Sequence, residues 1–280
     1  MTTSTSNKKY FDLITSGVGK LHRYREVPVT RGDNFHAVDI SVNLMRGGYT
    51  TLDCRICDAD ALAIVKQFIP SLDAGKTIEI EFNVGDLYPH PYLKQSGNHT
   101  GEPGAVGKVH LLKIWSVVVD GEIKYGEPQP LAGERPLITR GIGYLKRVDG
   151  KRRQVDICSI HGEQNSENMQ FTWFNDCPIL VDADPVIQKL ESSVKEGKKV
   201  LVGFRLSDVS FKPFLYRKGE NEGKPGTSTT GDLSSIDWAK VDGETVYSRP
   251  KLEAEACVPS SSQPTGDDVP ELVEGQGIPV

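Results

Sequence analysis

The chain has 280 residues, enough for two ordinary domains. Hydrophobic residues make up 37% and charged residues 25%, which is the composition of a globular protein, and no apolar run approaches the roughly 20 residues that a membrane helix needs. The net charge of −5 arises in residues 251–280, which hold six acidic residues and one lysine. The remainder of the chain is balanced, so it can bind a polyanion only through a local basic patch.

The cysteines and the N-terminal segment bear on cellular location. Five cysteines form an odd and sparse set, which suits a reducing compartment better than a disulfide framework. The segment Met1–Lys9 is rich in Thr and Ser and is followed by no hydrophobic stretch, so we expect no secretory signal. We therefore expect a cytoplasmic protein that does not contact a membrane.

The chain repeats itself. Leu13–Arg23 recurs as Leu137–Arg147, and Gly75–Asp86 recurs as Gly197–Asp208, while the shorter matches between and beyond them keep the same order. All offsets lie between 117 and 124 residues, which indicates the duplication of a whole domain rather than a solenoid repeat. The predicted organisation is a first unit at 8–126, a second unit at 135–250 and a disordered acidic tail at 251–280.

Each unit has the same predicted order of elements. A first strand with paired glycines, which suggest a bulge or a sharp coil, is followed by two strands of alternating apolar residues, Phe35–Leu44 and Tyr49–Ile56 in the first unit. One helix and two further strands complete the unit. Three strands, a helix and two strands is the order of the five-stranded OB-fold barrel, whose helix lies between strands 3 and 4. We predict a mainly β protein with two tandem OB-fold-like barrels; a generic α+β sandwich is the alternative.

Local signals bound the two helices. In the second unit Asp184 is predicted as the N-cap, Pro185 occupies the first helical position and Gly197 ends the helix. In the first unit Asp60 is the predicted cap and Pro70 the predicted end. Helix capping therefore explains the recurring aspartates more simply than a metal site.

Two resemblances extend this interpretation. The run from Tyr49 through Asp86 resembles the middle of bacterial single-stranded-DNA-binding proteins in its strand, helix, Gly-Lys corner and alternating Val/Ile strand. Nearly all of 10–250 also resembles a family of replication proteins of integrative and conjugative elements. The motifs that carry this second resemblance are Gly141–Val148, Val155–Ile157, Tyr49–Cys54 and Gly197–Arg205.

The resemblance implies a replication-linked role on a mobile genetic element. The first unit departs from the family motif, because it has Lys20-Leu21-His22 where the motif has Tyr-Leu. We therefore expect the second unit to dominate binding.

Binding by such barrels uses the face of strands 2 and 3 and the neighbouring loops, where aromatic rings stack on bases and cations follow phosphates. Phe174 aligns with Leu52 and is assigned to the core, so Phe171 and Trp173 are predicted to point outward. The alternative is that Trp173 packs beneath a loop or between the units. The predicted nucleic-acid-binding residues are Phe171, Trp173, Tyr144, Lys146, Arg147, Lys151, Arg152, Arg153, Phe211, Lys212, Phe214, Tyr49, Arg55, Lys20, Arg23, Arg25 and Tyr88.

Catalytic signals are weak. Cys54 and Cys57 have metal-ligand spacing, but strand alternation points their thiols to opposite faces and no second pair exists. The Gly219–Lys224 segment lacks the spacing and hydroxyl of a phosphate loop, and no Ser/His/Asp arrangement is evident. We expect neither an enzyme nor a cofactor or metal.

The sequence favours single-stranded-DNA binding in the replication or transfer of a mobile element. The alternative is a protein-interaction adaptor in a replication or conjugation complex. The acidic residues before Val280 resemble the tip with which bacterial single-strand binders recruit partners, although those tips end in an aromatic residue. The tail is thus either a recruiter of replication proteins or featureless, and oligomeric state is left open.

Overall fold

The computed structural model describes residues 10–127, 136–163 and 169–250. The elements of the first unit are β1 (Tyr10–Phe11), β2 (Ile14–Val27), β3 (Phe35–Asn43), β4 (Tyr49–Ile56), α1 (Ala59–Asp73), β5 (Ile78–Leu93), β6 (Pro103–Val119) and β7 (Glu122–Tyr125). Those of the second unit are β8 (Ile138–Asp149), β9 (Gln154–Glu163), β10 (Gln170–Pro178), α2 (Asp184–Lys195), β11 (Val200–Leu215), β12 (Pro225–Val241) and β13 (Glu244–Ser248). The predicted acidic tail lies outside the described residues.

Hydrogen bonds close each unit into a barrel. In the first unit β2 pairs with β3 and β5, β3 pairs with β4, β5 pairs with β6, and the parallel ladder between β4 and β6 completes the circle. The second unit repeats this pairing, and a parallel bridge between Ile179 and Leu233 joins the end of β10 to β12. The predicted pair of five-stranded barrels, each with one helix between strands 3 and 4, is confirmed, and the sandwich alternative is wrong.

Side-chain alternation fills the barrels as predicted. Along β4, Leu52 and Cys54 are fully buried while Tyr49 and Arg55 are exposed. In the second barrel the rings of Phe174 and Phe204 meet edge to face with centroids 5.9 Å apart. Each such fully buried large side chain stabilises the fold by about 1.5–3 kcal/mol. The side chains at the alternate positions of the same strands point out of the barrel and do not contribute to its core.

The helix ends differ from the sequence prediction. Asp58, not Asp60, is the N-cap of α1, and its Oδ1 accepts a hydrogen bond from the Ala61 N–H at 2.8 Å. Pro70 lies inside α1, because later N–H groups still reach back to carbonyls one turn earlier. α2 begins at Asp184, so its N-cap is Ala183, which makes no side-chain capping hydrogen bond, and the Asp184 carboxylate pairs with Arg153 instead.

The glycines of the first strands allow the two barrels to approach each other. A Cβ on Gly17 would lie 2.9 Å from Cδ1 of Leu137, and one on Gly141 would lie 2.7 Å from Cδ1 of Leu13. The bulge of β2 is instead found between His22 and Arg25. These glycines therefore serve close packing between the units, and the bulge predicted from them is misplaced.

Equivalent residues of the two units meet at their joint. β2 and β8 pair antiparallel, and Thr15 stands directly opposite Thr139, its own equivalent in the repeat. Their hydroxyl oxygens are 2.9 Å apart and both side chains are buried. The two barrels are thus related by a local two-fold axis that passes between these threonines.

Polar contacts between the two units lie on both sides of this axis. On one side the β3–β4 turn reaches the second barrel, where the Met45 N–H donates to Asp208 at 3.0 Å and Arg46 pairs with Asp232 at 2.7 Å. On the other side Asp86, the equivalent of Asp208, lies 3.4 Å from Nδ1 of His161, a side chain that is 1% exposed. The strand β1 also crosses over and pairs with the end of β9. The two units therefore form one continuous structure.

Candidate nucleic-acid interface

The second barrel presents the predicted aromatic residues on the outward side of its strands. Thr172 and Phe174 point into the barrel, so Phe171 and Trp173 point outward, as alternation predicts. Trp173 lies directly across from Cys158 on β9, which in turn faces Tyr144 on β8. The indole of Trp173 is half-buried. An outward row that runs from β8 to β10 therefore carries two aromatic rings.

A second outward row is more enclosed than expected. Phe171 faces Ile160, and Ile160 faces Ile142, while Phe11 of β1 and Leu201 of β11 pack against the same cluster. Ile160 and Phe11 are buried although they lie outside the barrel. Phe171 points outward as predicted, but its ring is half-buried against this apolar cluster, which the ring of Tyr144 also contacts.

Lys146 borders the aromatic row of the second barrel, and a second exposed lysine lies in the β8–β9 turn. Lys146 is exposed, and its ammonium lies 5.4 Å from the ring centroid of Tyr144, within range of a cation–π contact. Burial raises the pKa of the Tyr144 hydroxyl. Lys151 in the β8–β9 turn is also exposed and has no ion-pair partner among the described residues. These ammonium groups are available to phosphates.

The arginines of this turn are engaged instead with carboxylates. Arg147 binds Asp156 at 2.6 and 2.9 Å and also pairs with Asp176, which raises the pKa of its guanidinium further. The remaining pairs are Arg153 with Asp184 at 2.9 Å and, more loosely, Arg152 with Asp149 at 3.9 Å. The basic cluster predicted from the sequence is therefore largely neutralised where it stands.

A similar network covers the outward face of the first barrel. Arg25 lies between Asp39, at 2.7 Å, and Asp53, which also binds Lys108. Arg23 pairs with Asp39 at 2.8 Å. Asp39 and Asp156 occupy the same place in the repeated Val-Asp-Ile motif, so the repeat itself carries a sequence signal for these acidic partners.

The first barrel nevertheless exposes aromatic and basic groups around this network. Tyr49, at the start of β4, is 71% exposed. The guanidinium of Arg55 stacks on the ring of Phe35 at 4.7 Å, and Lys20 is exposed opposite Ser41. The first unit thus lacks the tyrosine that the family motif has at the position of Lys20, but its outward face still carries other aromatic and basic side chains.

The predicted loops between strands 4 and 5 are paired ribbons. The β11–β12 ladder continues to the pair Leu215–Pro225, with Lys212 and Phe214 exposed on its outer side. The ring of Phe214 lies against Gly226 and meets Tyr216 edge to face at 5.0 Å. Its glycine partner lets the ring lie flat on the ribbon.

Phe211 does not belong to the interface. Its ring packs over Gly107 of the first barrel, where an added Cβ would lie 2.6 Å from the ring. The side chain also contacts the main core. The sequence interpretation of Phe211 as a stacking residue is therefore wrong, because this side of the ribbon faces the other unit.

The β5–β6 ribbon extends the outward face of the first barrel. Tyr88 is 42% exposed and stands directly opposite Lys108, whose ammonium reaches Asp53 on the outward side of β4. Tyr92 lies four residues further along the same strand, so it shares that side, and its ring covers Gly104. The ribbon therefore adds two tyrosines to the surface that begins with Tyr49.

Other functional sites are not evident in the described structure. Cys54 is buried and Cys57 exposed, and burial raises the pKa of both thiols. Within residues 10–127, 136–163 and 169–250 no group of three or more His, Cys, Asp or Glu side chains is placed to hold a metal ion. No helix in these ranges is long and apolar enough to cross a membrane.

The fold and this surface define a class: a tandem pair of OB-type barrels with aromatic and basic side chains on their outward faces. The chain belongs to the family described as protein of unknown function DUF3577, which matches it twice, over residues 4–132 and 135–255. No curated protein matches the chain.

Proposed function

We propose that the protein binds single-stranded DNA, without catalysis, in the replication or transfer of a mobile genetic element. The observation that carries the proposal is the outward row of Tyr144 and Trp173 on the second barrel, with the exposed ammonium group of Lys146 lying 5.4 Å from the Tyr144 ring centroid. Half-buried rings held by neighbouring apolar groups are preorganised for stacking, which contributes about 1–3 kcal/mol per base. The link to a mobile element rests on the family resemblance of the sequence alone, and a cytoplasmic location is part of the same proposal.

Oligo-dT binding tests this proposal. Trp173→Ala is expected to weaken binding at the second barrel about 5- to 150-fold, the equivalent of 1–3 kcal/mol. Trp115→Ala is the matched control, because Trp115 lies on β6 outside the proposed surface, where Lys113 already covers its ring at 3.7 Å. Fluorescence anisotropy of labelled oligo-dT measures both affinities. Equal effects of the two substitutions would show that the site is misassigned, and no binding by the wild type would refute the function.

An adaptor role is the second candidate. It is favoured by the ion pairs that neutralise Arg25 and Arg147 on the outward faces of the barrels. Nucleic-acid binding that depends on Trp173 would discriminate against this adaptor role. Recruitment of replication proteins by the acidic tail is part of the same proposal and concerns residues outside the described structure.

A further inference from the structure

The local two-fold axis fixes how the two candidate faces are oriented. Thr15 lies opposite Thr139, while Ile14 lies opposite Arg140 and Ser16 opposite Ile138. Each of these pairs is exchanged with its equivalent by a half-turn about an axis between the threonines. Because both threonine side chains point to the same side of the sheet, this axis is perpendicular to the sheet. The barrels are therefore related by rotation rather than by translation along one line.

Both barrels present their outward residues on one side of the joint. Residues directly opposite each other in an antiparallel ladder share a face of the sheet. Ile14 and Ser16 are outward positions of β2, and their partners Arg140 and Ile138 are outward positions of β8. At the joint, the outward residues of both barrels therefore lie on the same side of the paired strands.

Equivalent positions on the two barrels carry rings. Tyr49 of β4 corresponds to Phe171 of β10, and Tyr92 of the first ribbon corresponds to Phe214 of the second, in the alignment that pairs Leu52 with Phe174. Phe214 is 38% exposed, close to the value for Tyr92, and each ring lies against a glycine of the adjacent strand. The first barrel, which the sequence predicts to be the weaker one, has the more exposed tyrosines.

A single strand of nucleic acid has a direction, and a half-turn perpendicular to the sheet reverses every direction in its plane. We propose that one chain holds two segments of single-stranded nucleic acid, one on each barrel, and that they run in opposite directions. This inference rests on the proposed function. An ordinary strand that passes straight from one barrel to the other meets the second in the wrong polarity, so it has to fold back or to engage only one barrel.

Oligonucleotides of defined polarity test the inference on the full chain. Two dT segments of about ten nucleotides, the length that one such barrel covers, are joined 3′ to 3′, 5′ to 5′, or in the ordinary 5′ to 3′ sense. One of the reversed joints is expected to bind at least about 10-fold more tightly than the ordinary joint of equal length, because only it lets both segments bind at high effective concentration. An ordinary joint that binds as tightly as both reversed ones would overturn the inference.

The stoichiometry of a single short segment separates this inference from the proposed function. The wild type is expected to bind two unlinked segments of about ten nucleotides per chain, and Tyr49→Ala and Trp173→Ala each to leave one tight site. Titration calorimetry measures both numbers. One segment per wild-type chain refutes the two-segment inference while leaving the proposed function intact. No binding of any oligonucleotide refutes both.

Discussion

The paired hydroxyls of Thr15 and Thr139 give a direct test of the joint between the barrels. Removing one hydroxyl leaves its buried partner without a hydrogen bond, which costs about 1–3 kcal/mol, and loss of the methyl group costs about 0.8 kcal/mol more. Thr15→Ala and Thr139→Ala are therefore each expected to lower the free energy of unfolding by about 2–4 kcal/mol.

The double variant distinguishes a coupled pair from two independent sites. With both hydroxyls gone no buried donor is stranded, so Thr15→Ala/Thr139→Ala should lose only about 2 kcal/mol, mostly for two methyl groups. The expected coupling energy is at least about 2 kcal/mol, within the range for contacting residues. Urea unfolding followed by circular dichroism measures all four proteins.

A control pair tests whether any two substitutions of buried threonines would show the same coupling. Thr50 is buried in the first barrel, and its hydroxyl has no hydrogen-bond partner in the described structure. Thr15→Ala combined with Thr50→Ala is therefore expected to be additive within about 0.5 kcal/mol. Additive losses for Thr15 and Thr139 themselves would refute the argument that these threonines stabilise each other across the axis.

Three further predictions concern single residues. The hydrogen bond from His110, together with the nearby imidazole of His161, holds the pKa of Asp86 well below its usual 3.8. Asp86→Asn should therefore be less stable at pH 7, and urea unfolding should show the difference in stability shrinking below about pH 3.8. Asp58→Ala should cost about 1 kcal/mol by urea unfolding and Asp182→Ala less than about 0.5, because only Asp58 caps its helix. Gly143→Ala should lower stability by about 1–3 kcal/mol, since its Cβ would lie 2.7 Å from a backbone carbonyl oxygen; the control Gly150→Ala meets only a movable carboxylate, and equal melting temperatures for the two would contradict the reasoning.

The barrel interiors could be predicted from the sequence because alternation has one physical cause, burial of every second side chain. Val38, Ile40 and Phe174 are core residues for that reason, and the order of elements then left few topologies. The helix caps were harder, because the aspartates at 58 and 60 carry the same signal and only the backbone path decides which one accepts the N–H.

The contacts between the barrels could not be predicted from the alternation of apolar residues. Alternation shows which side of a strand is buried but not whether a neighbouring unit or solvent covers the edge. Phe211 and Phe171 therefore carry the same signal as Trp173, although Phe211 packs on Gly107 and Phe171 in the outer cluster. The salt bridges were missed for a related reason, since Arg147 and Asp176 are brought together only by the bulged end of β10.

The crossing of β1 to the second barrel sets an order of events during synthesis. Phe11 packs against Ile160, and its strand pairs with Gly162, which is added to the chain about 150 residues later. At ribosomal speeds of about 5–20 residues per second, the N-terminal strand waits roughly 8 to 30 s for its partner. During that time its phenylalanine and its backbone N–H groups are open to other chains. Of the described strands, β1 is thus the first to be made and among the last to pair, so it stays exposed longest to neighbouring chains on a crowded polysome.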